Sequence, residues 1–320
     1  MIDVRRARHN IAFVALGIAF VFLGSLAVQL LASILATMYA PWLFEEPIFV
    51  YGVGSLSMYA VSMPLSLLFF LRCKDVQKPE SREISLLTFA GAFALAFAGS
   101  YIFGIIGSMA NDVFYQLMGK EPVNSLEEFI TAVPPWLNVL LTAVCAPIFE
   151  EIFTRKLVID RLLPYGEIPA VILSGLAFGL IHGNFNQFFY ASAIGIILGF
   201  IYTRTGNIYC TITLHMMFNF IGGVYVAEAN RLLGDAEALT TEQLLAGGPQ
   251  TTGMLMILGY LALLAVSFIG AIITVVRFTE ETHDFVRPDP ALTPWQWTRM
   301  LVLNPGVWIF FGVCVMMFLI

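Results

Sequence analysis

The chain has 320 residues, of which 59% are apolar and only 12% charged, with 28 phenylalanines and a net charge of -6. A soluble core cannot hide that much apolar surface, so the composition excludes a water-soluble globular domain and points to a polytopic membrane protein. The acidic balance belongs to loops, and no basic groove with interleaved aromatics occurs, so nucleic acid is not an expected partner.

Apolar runs of spanning length occur at about 11–38, 48–71, 84–110, 134–154, 168–183, 187–203, 207–226, 252–276 and 298–320. They predict an all-α bundle of eight to nine transmembrane helices, in which the fifth and sixth runs fall at or below the ~17 residues a span needs. The first run is too long for the ~7 to 15 apolar residues of a cleaved signal and is read as a retained span. Cys73, Cys145, Cys210 and Cys314 show no CxxC spacing, so neither a disulfide framework nor a zinc ribbon is indicated.

Nine spans with a cytoplasmic N-terminus put 14 of the 16 Lys and Arg residues inside and only Lys120 and Arg231 outside. The positive-inside rule favours that orientation, with the C-terminus external. Before the fourth span, Ser125 and Glu128 read as a capping box opening a short interfacial helix through Phe129 and Ile130. Thr293, Pro294 and Gln296 read as N-cap, N1 and N3 of the last helix, with Trp295 and Trp297 at headgroup level.

On these boundaries Glu150 and Glu151 are the acids placed inside a span, and His182 and His215 the imidazoles. A charge near the bilayer centre costs roughly 2.5 to 3.5 kcal/mol on insertion scales, so such residues are functional by default. Glu150 and Glu151 point about 100° apart on a helix. Glu151 stands four before Arg155 and is expected to pair with it, leaving Glu150 to face a cavity. Pro147 cannot donate to the carbonyl of Ala143 and predicts a kink just ahead of the acids. His215 shares a face with Asn219, and Phe178 with His182. The GNFNQ stretch after His182 is a polar hinge of the sort that lines a wet cavity. Ala191, Gly195 and Gly199 form a small-residue ridge suited to close helix packing.

Three spacings, Glu150-Glu151-x-x-x-Arg155, Phe178-x-x-x-His182 and His215-x-x-x-Asn219, resemble in order the motifs of the CPBP family of intramembrane proteases, relatives of the type II CAAX prenyl endopeptidase. The resemblance covers about residues 134–226. It implies a four-helix catalytic membrane core there, flanked by a three-span region with the interfacial helix (1–133) and by a loop with two spans (227–320). It also implies that Glu150, Glu151, His182, His215 and Asn219 are catalytic, with Arg155 supporting them and Phe178 packing.

The expected activity is hydrolysis of a peptide bond in a membrane-associated or lipid-linked peptide or protein. Two chemistries fit the residues. Without a metal, Glu150 and His182 polarise water while His215 and Asn219 donate to the oxyanion. With zinc or another divalent metal, His182, His215 and Glu150 supply the ligands. No Ser or Cys sits in a nucleophile setting, and Cys145 lies about 140° round the helix from Glu150. A non-catalytic membrane scaffold and a proton- or ion-coupled transporter using the same polar cluster are the competing readings. One difficulty is depth, because these boundaries put Glu150 near the inner end of its span and His182 near the outer end of its own. A fourth helix running past Arg161, combined with a re-entrant pair around GNFNQ, would bring them together.

Overall fold

Every apolar run becomes a helix in the computed structural model, which describes residues 4–124, 132–234, 240–242, 246–280, 285 and 292–319. The helices are α1 (Val4–Tyr39), α2 (Pro47–Phe70), α3 (Leu86–Leu117), α4 (Pro135–Tyr165), α5 (Glu167–Leu180), α6 (Phe185–Thr205), α7 (Ile208–Leu233), α8 (Pro249–Glu280), α9 (Pro294–Val302) and α10 (Pro305–Leu319). Seven are long and apolar enough to cross a membrane, eight if α9 and α10 count as one broken span. The protein is an all-α, multi-pass membrane bundle. The Ser125 capping box and the interfacial helix expected after it lie outside the described residues.

Polar side chains mark several helix starts. Ser85 opens α3 by accepting from the backbone N–H of Thr88, and Asn184 opens α6 by accepting from that of Gln187. The capping box of Thr293 and Gln296 opens α9 as expected. That helix does not run on to the C-terminus, however. Pro305 follows Asn304, and the axis turns by 65° between α9 and α10.

The fourth helix departs from the sequence boundaries in an informative way. It continues eleven residues beyond the expected end at 154, which leaves Glu150 at its midpoint. Arg155, counted among the inside-loop cations, is fully buried within it. Asp160 and Glu167, read as loop acids, are also buried, the first accepting from the Tyr202 hydroxyl and the second paired with Arg204 at 3.0 Å. Helix α5, with 14 residues, is about 21 Å long and reaches only partway across a ~30 Å hydrocarbon layer. Helix α6, with 21 residues, is long enough to cross, so the turn at Gly183 and Asn184 joins a short helix to a long one, with the rest of GNFNQ forming the first turn of α6.

Packing follows the small residues. Helix α6 sits between α5 and α3, and a Cβ on Gly195 would come within 2.9 Å of the Gly175 Cα and 3.0 Å of the Phe178 ring. The predicted ridge therefore does bring two backbones together. Helix α1 packs on α2 and α10, and α8 lies against α3 and the end of α7. One apolar cluster joins α1, α2, α4, α5, α9 and α10 with Ala191 and Tyr202 of α6 and Ile208 of α7; a second joins α3, α6, α7 and α8.

The two ends of the bundle differ. At one end the loop after α2 is tied down, with Lys74 N–H donating to Asn10, Gln77 N–H to the Asp160 carbonyl and Arg82 N–H to the Thr205 carbonyl. Gly206 closes α6 there at φ +60, with the Glu80 carbonyl only 2.6 Å from where a Cβ would stand. Asn304 donates to the Arg8 carbonyl at the same end, which gathers most of the basic residues. At the opposite end Asn111 and Asn186 both donate to the Val123 carbonyl, and Phe318 of α10 meets Phe185.

Candidate active site

Helix α4 is not regular around the acids. Residues Val139–Cys145 and Ile152–Ile159 adopt π-helical hydrogen bonding, in which each N–H reaches back five residues, as Ala146 does to the Leu141 carbonyl. The next N–H in that register would belong to residue 147 and reach Thr142. Residue 147 is proline, so the Thr142 carbonyl is left without its backbone donor. The side-chain amide of Asn219, on α7, donates to it at 2.9 Å. The expectation that Pro147 would orphan the Ala143 carbonyl assumed an α register; the π register moves the vacancy one residue back and fixes Asn219 against α4. One amide hydrogen is used there, and the other remains for a second acceptor.

The Glu151–Arg155 pair forms as the spacing predicts. Arg155 Nε lies 2.8 Å from Glu151 Oε2 and Nη2 lies 3.0 Å from Oε1, a two-pronged contact between side chains without solvent exposure. Arg155 also donates to Ser174 on α5, whose hydroxyl donates to the Thr154 carbonyl, and its guanidinium lies 5.7 Å from the Phe178 ring centre. Glu151 also accepts from His215 Nδ1 at 3.1 Å. A carboxylate can only accept, so the His215 proton sits on Nδ1 and the Nε2 lone pair points away from Glu151.

Nε2 of His215 faces Glu150, whose Oε2 is 3.7 Å away, too far for a direct hydrogen bond. The other oxygen of Glu150 accepts from the hydroxyl of Tyr59 on α2 at 2.8 Å. His182 is fixed by the same logic as His215. Its Nδ1 lies 2.8 Å from the Phe178 carbonyl, which can only accept, so Nδ1 carries the proton and Nε2 offers a lone pair. Phe178 stands edge-on to both imidazoles, 5.1 Å from His182 and 5.5 Å from His215 between ring centres. It is the spacer that sets the two rings apart.

Glu150, His182, His215 and Asn219 all line one cavity of about 760 Å³. Its other walls include Tyr59, Phe97, Tyr101, Tyr190 and Tyr260, and no Lys or Arg among the described residues. Glu151 and Arg155 lie behind the wall. Tyr59 and Ser174 belong to the polar network but carried no sequence signal, one being a lone tyrosine in an apolar run and the other a serine remote from any motif. Asp112, which lines the cavity from inside α3, was read as a loop or helix-end acid.

The donor types of the expected metal set are present, yet among the described residues no three His, Cys, Asp or Glu side chains are grouped to hold an ion. One oxygen of Glu150 is already engaged by Tyr59. The geometry does not match a preassembled ligand set, so no step below is routed through a metal.

Comparison with known proteins picks out the same stretch. Residues 132–221 match the family model described as "Type II CAAX prenyl endopeptidase Rce1-like", and all seven motif residues fall inside the match. A relative from Bacillus subtilis (strain 168), described as "Putative membrane peptidase YdiL", is 27% identical over 176 residues, covering 55% of this chain and 71% of the relative. No solved structure gives a significant match. The motif residues, carried by α4, by α5 with the turn that follows it and by α7, all fall within the matched stretch, and over that stretch the chain is similar to the Rce1-like family.

Proposed function

We propose that the protein is an intramembrane endopeptidase that hydrolyses a peptide bond in a membrane-associated or lipid-linked peptide or protein. The observation that carries this reading is the convergence of Glu150 from α4, His182 from the turn after α5, and His215 and Asn219 from α7 on one cavity at mid-depth of the bundle. The peptidase descriptions of the family and of the Bacillus relative point the same way.

In the proposed reaction a water lies between Glu150 and the Nε2 lone pair of His182. Glu150 Oε2 takes its proton as the water oxygen attacks the scissile carbonyl carbon. The charge that develops on the carbonyl oxygen is met by the second amide hydrogen of Asn219. A neutral His215 accepts at Nε2 and cannot help there. It becomes an oxyanion donor only when protonated, and the Glu151 carboxylate at 3.1 Å supplies the counter-charge for that state. As the C–N bond breaks, the proton held by Glu150 passes to the leaving amine. Glu151 and Arg155 touch no reacting atom in this scheme; they hold His215 in the required tautomer.

Access follows from where the lining residues lie. They run from Asp112, Asn124 and Asn186 at the end near Val123 inward to Glu150 and His215, and none lies at the helix ends of the basic side. With the basic end cytoplasmic, as the positive-inside rule favours, substrate reaches Glu150 from the external side. The test is cleavage of membrane-anchored peptides by purified protein in proteoliposomes. Glu150→Ala and His182→Ala should insert normally and lose cleavage. Full cleavage by both variants would remove the site from the reaction, and loss of the folded protein in both would assign the residues a structural role.

A further inference from the structure

The structure assigns a positioning role in the site to Tyr59, a residue outside the family-matched stretch, on a helix that carries no motif. This inference rests on the proposed endopeptidase reading, in which Glu150 is the base. Tyr59 lies within Leu56–Ser62, where α2 takes π-helical form and Met63 N–H reaches back to the Met58 carbonyl. Such a turn re-aims the side chains it contains, and such turns are frequent at functional sites. Here it divides the polar side chains of α2 between two faces. The buried Ser57 bonds Ser25 on α1 at 2.7 Å, while Tyr59 faces α4 and the cavity.

Two contacts fix the tyrosine. Its ring stacks on Phe149 at 5.3 Å with an interplanar angle of 18°, and its hydroxyl lies 2.8 Å from Glu150 Oε1. The carboxylate can only accept, so the hydroxyl donates. Glu150 is left with a single oxygen, Oε2, on the side of His215. Tyr59 thus decides which carboxylate oxygen meets the water and stops the carboxylate from turning. It does so without touching a reacting atom, and Oε1 keeps this bond when Oε2 takes up a proton. The aromatic stack serves to hold the hydroxyl, so the ring and the hydroxyl make separable contributions.

Tyr59→Phe keeps the stack and deletes only the donor. The first readout needs no substrate: the infrared difference spectrum between wild type and Glu150→Gln isolates the Glu150 carboxyl band. Recorded in a Tyr59→Phe background, that band should shift in frequency, and an unshifted band overturns the assignment. The second readout is turnover of N-palmitoylated, internally quenched peptides in proteoliposomes. Loss of one hydrogen bond to a charged group predicts a roughly ten- to hundred-fold lower kcat, with KM within about two-fold and the folded protein retained. Tyr59→Ala, which also loses the stack, guards against a purely structural role. If Phe restores everything that Ala loses, the hydroxyl does nothing and the proposal fails. The two failures are distinguishable. Full activity in Glu150→Gln would overturn the endopeptidase site itself, whereas an inactive Glu150→Gln beside a fully active Tyr59→Phe would overturn only the role of Tyr59.

Discussion

Replacing Arg155 by Met tests the electrostatic logic of the buried core. The substitution preserves most of the aliphatic volume but removes the cation that contacts both oxygens of Glu151, at 2.8 and 3.0 Å. Both side chains are fully buried, so water cannot replace the lost partner. Breaking one side of a buried ion pair costs about 3 to 5 kcal/mol, most of it the penalty of the stranded charge. At about 2 to 4 °C per kcal/mol, the unfolding temperature in nanodiscs, followed by intrinsic fluorescence, should drop by roughly 6 to 20 °C. The decisive comparison is the double variant Glu151→Gln with Arg155→Met. It strands no charge and still lets His215 Nδ1 donate to the amide oxygen, so it should recover to within about 1 to 2 kcal/mol of wild type. An Arg155→Met protein as stable as wild type, or a double variant no better than the single one, would refute the reasoning.

Three further expectations address packing, metal and orientation. A Cβ at Gly175 would stand 2.7 Å from the Ile196 backbone nitrogen, so Gly175→Ala should push α5 from α6 and cost about 1 to 3 kcal/mol, read as a lower unfolding temperature. An unchanged temperature would mean the two helices are not locked together. Cleavage should persist in EDTA or 1,10-phenanthroline, because no ligand group is assembled among the described residues; activity lost to chelator and restored by zinc would contradict the metal-free scheme. In right-side-out vesicles a membrane-impermeant maleimide should label Lys120→Cys and not Lys78→Cys, and the reverse pattern would invert the proposed orientation. Native Cys73 should add little background at pH 7, because burial pushes its thiol up to about 11.

Much of this architecture was legible in the chain. Apolar runs located each helix, and the i to i+4 spacing of Glu151 and Arg155 predicted the ion pair that forms. What escaped was set by partners distant in sequence. The apolar run of α4 stops near 154 because Arg155, Lys156, Asp160 and Arg161 look like loop charges, and only the depth mismatch between Glu150 and His182 called for the extension past Arg161 that the helix makes. Arg155 is buried against Glu151 and Ser174, Asp160 meets Tyr202, and Arg161 donates to the Phe70 carbonyl. Those contacts let the helix continue, and the continuation places Glu150 at the depth of His182. The π registers were equally hidden, since nothing in a run such as VLLTAVC distinguishes a reach of five residues from one of four. That single difference moved the orphaned carbonyl from Ala143 to Thr142 and gave Asn219 its anchor. Tyr59 was invisible for a simpler reason, because a tyrosine in an apolar helix has no signature until the facing carboxylate is known.

The central claim is that Glu150 drives hydrolysis of a peptide bond inside the bundle. Membranes from cells making wild type or Glu150→Ala, incubated in ¹⁸O-labelled water and analysed by mass spectrometry of new C-termini, test it most directly. The account predicts a membrane-associated peptide or protein whose new carboxyl group carries ¹⁸O in the wild-type sample and is missing from Glu150→Ala. Identical labelled termini in both samples, or none specific to the wild type, would contradict it.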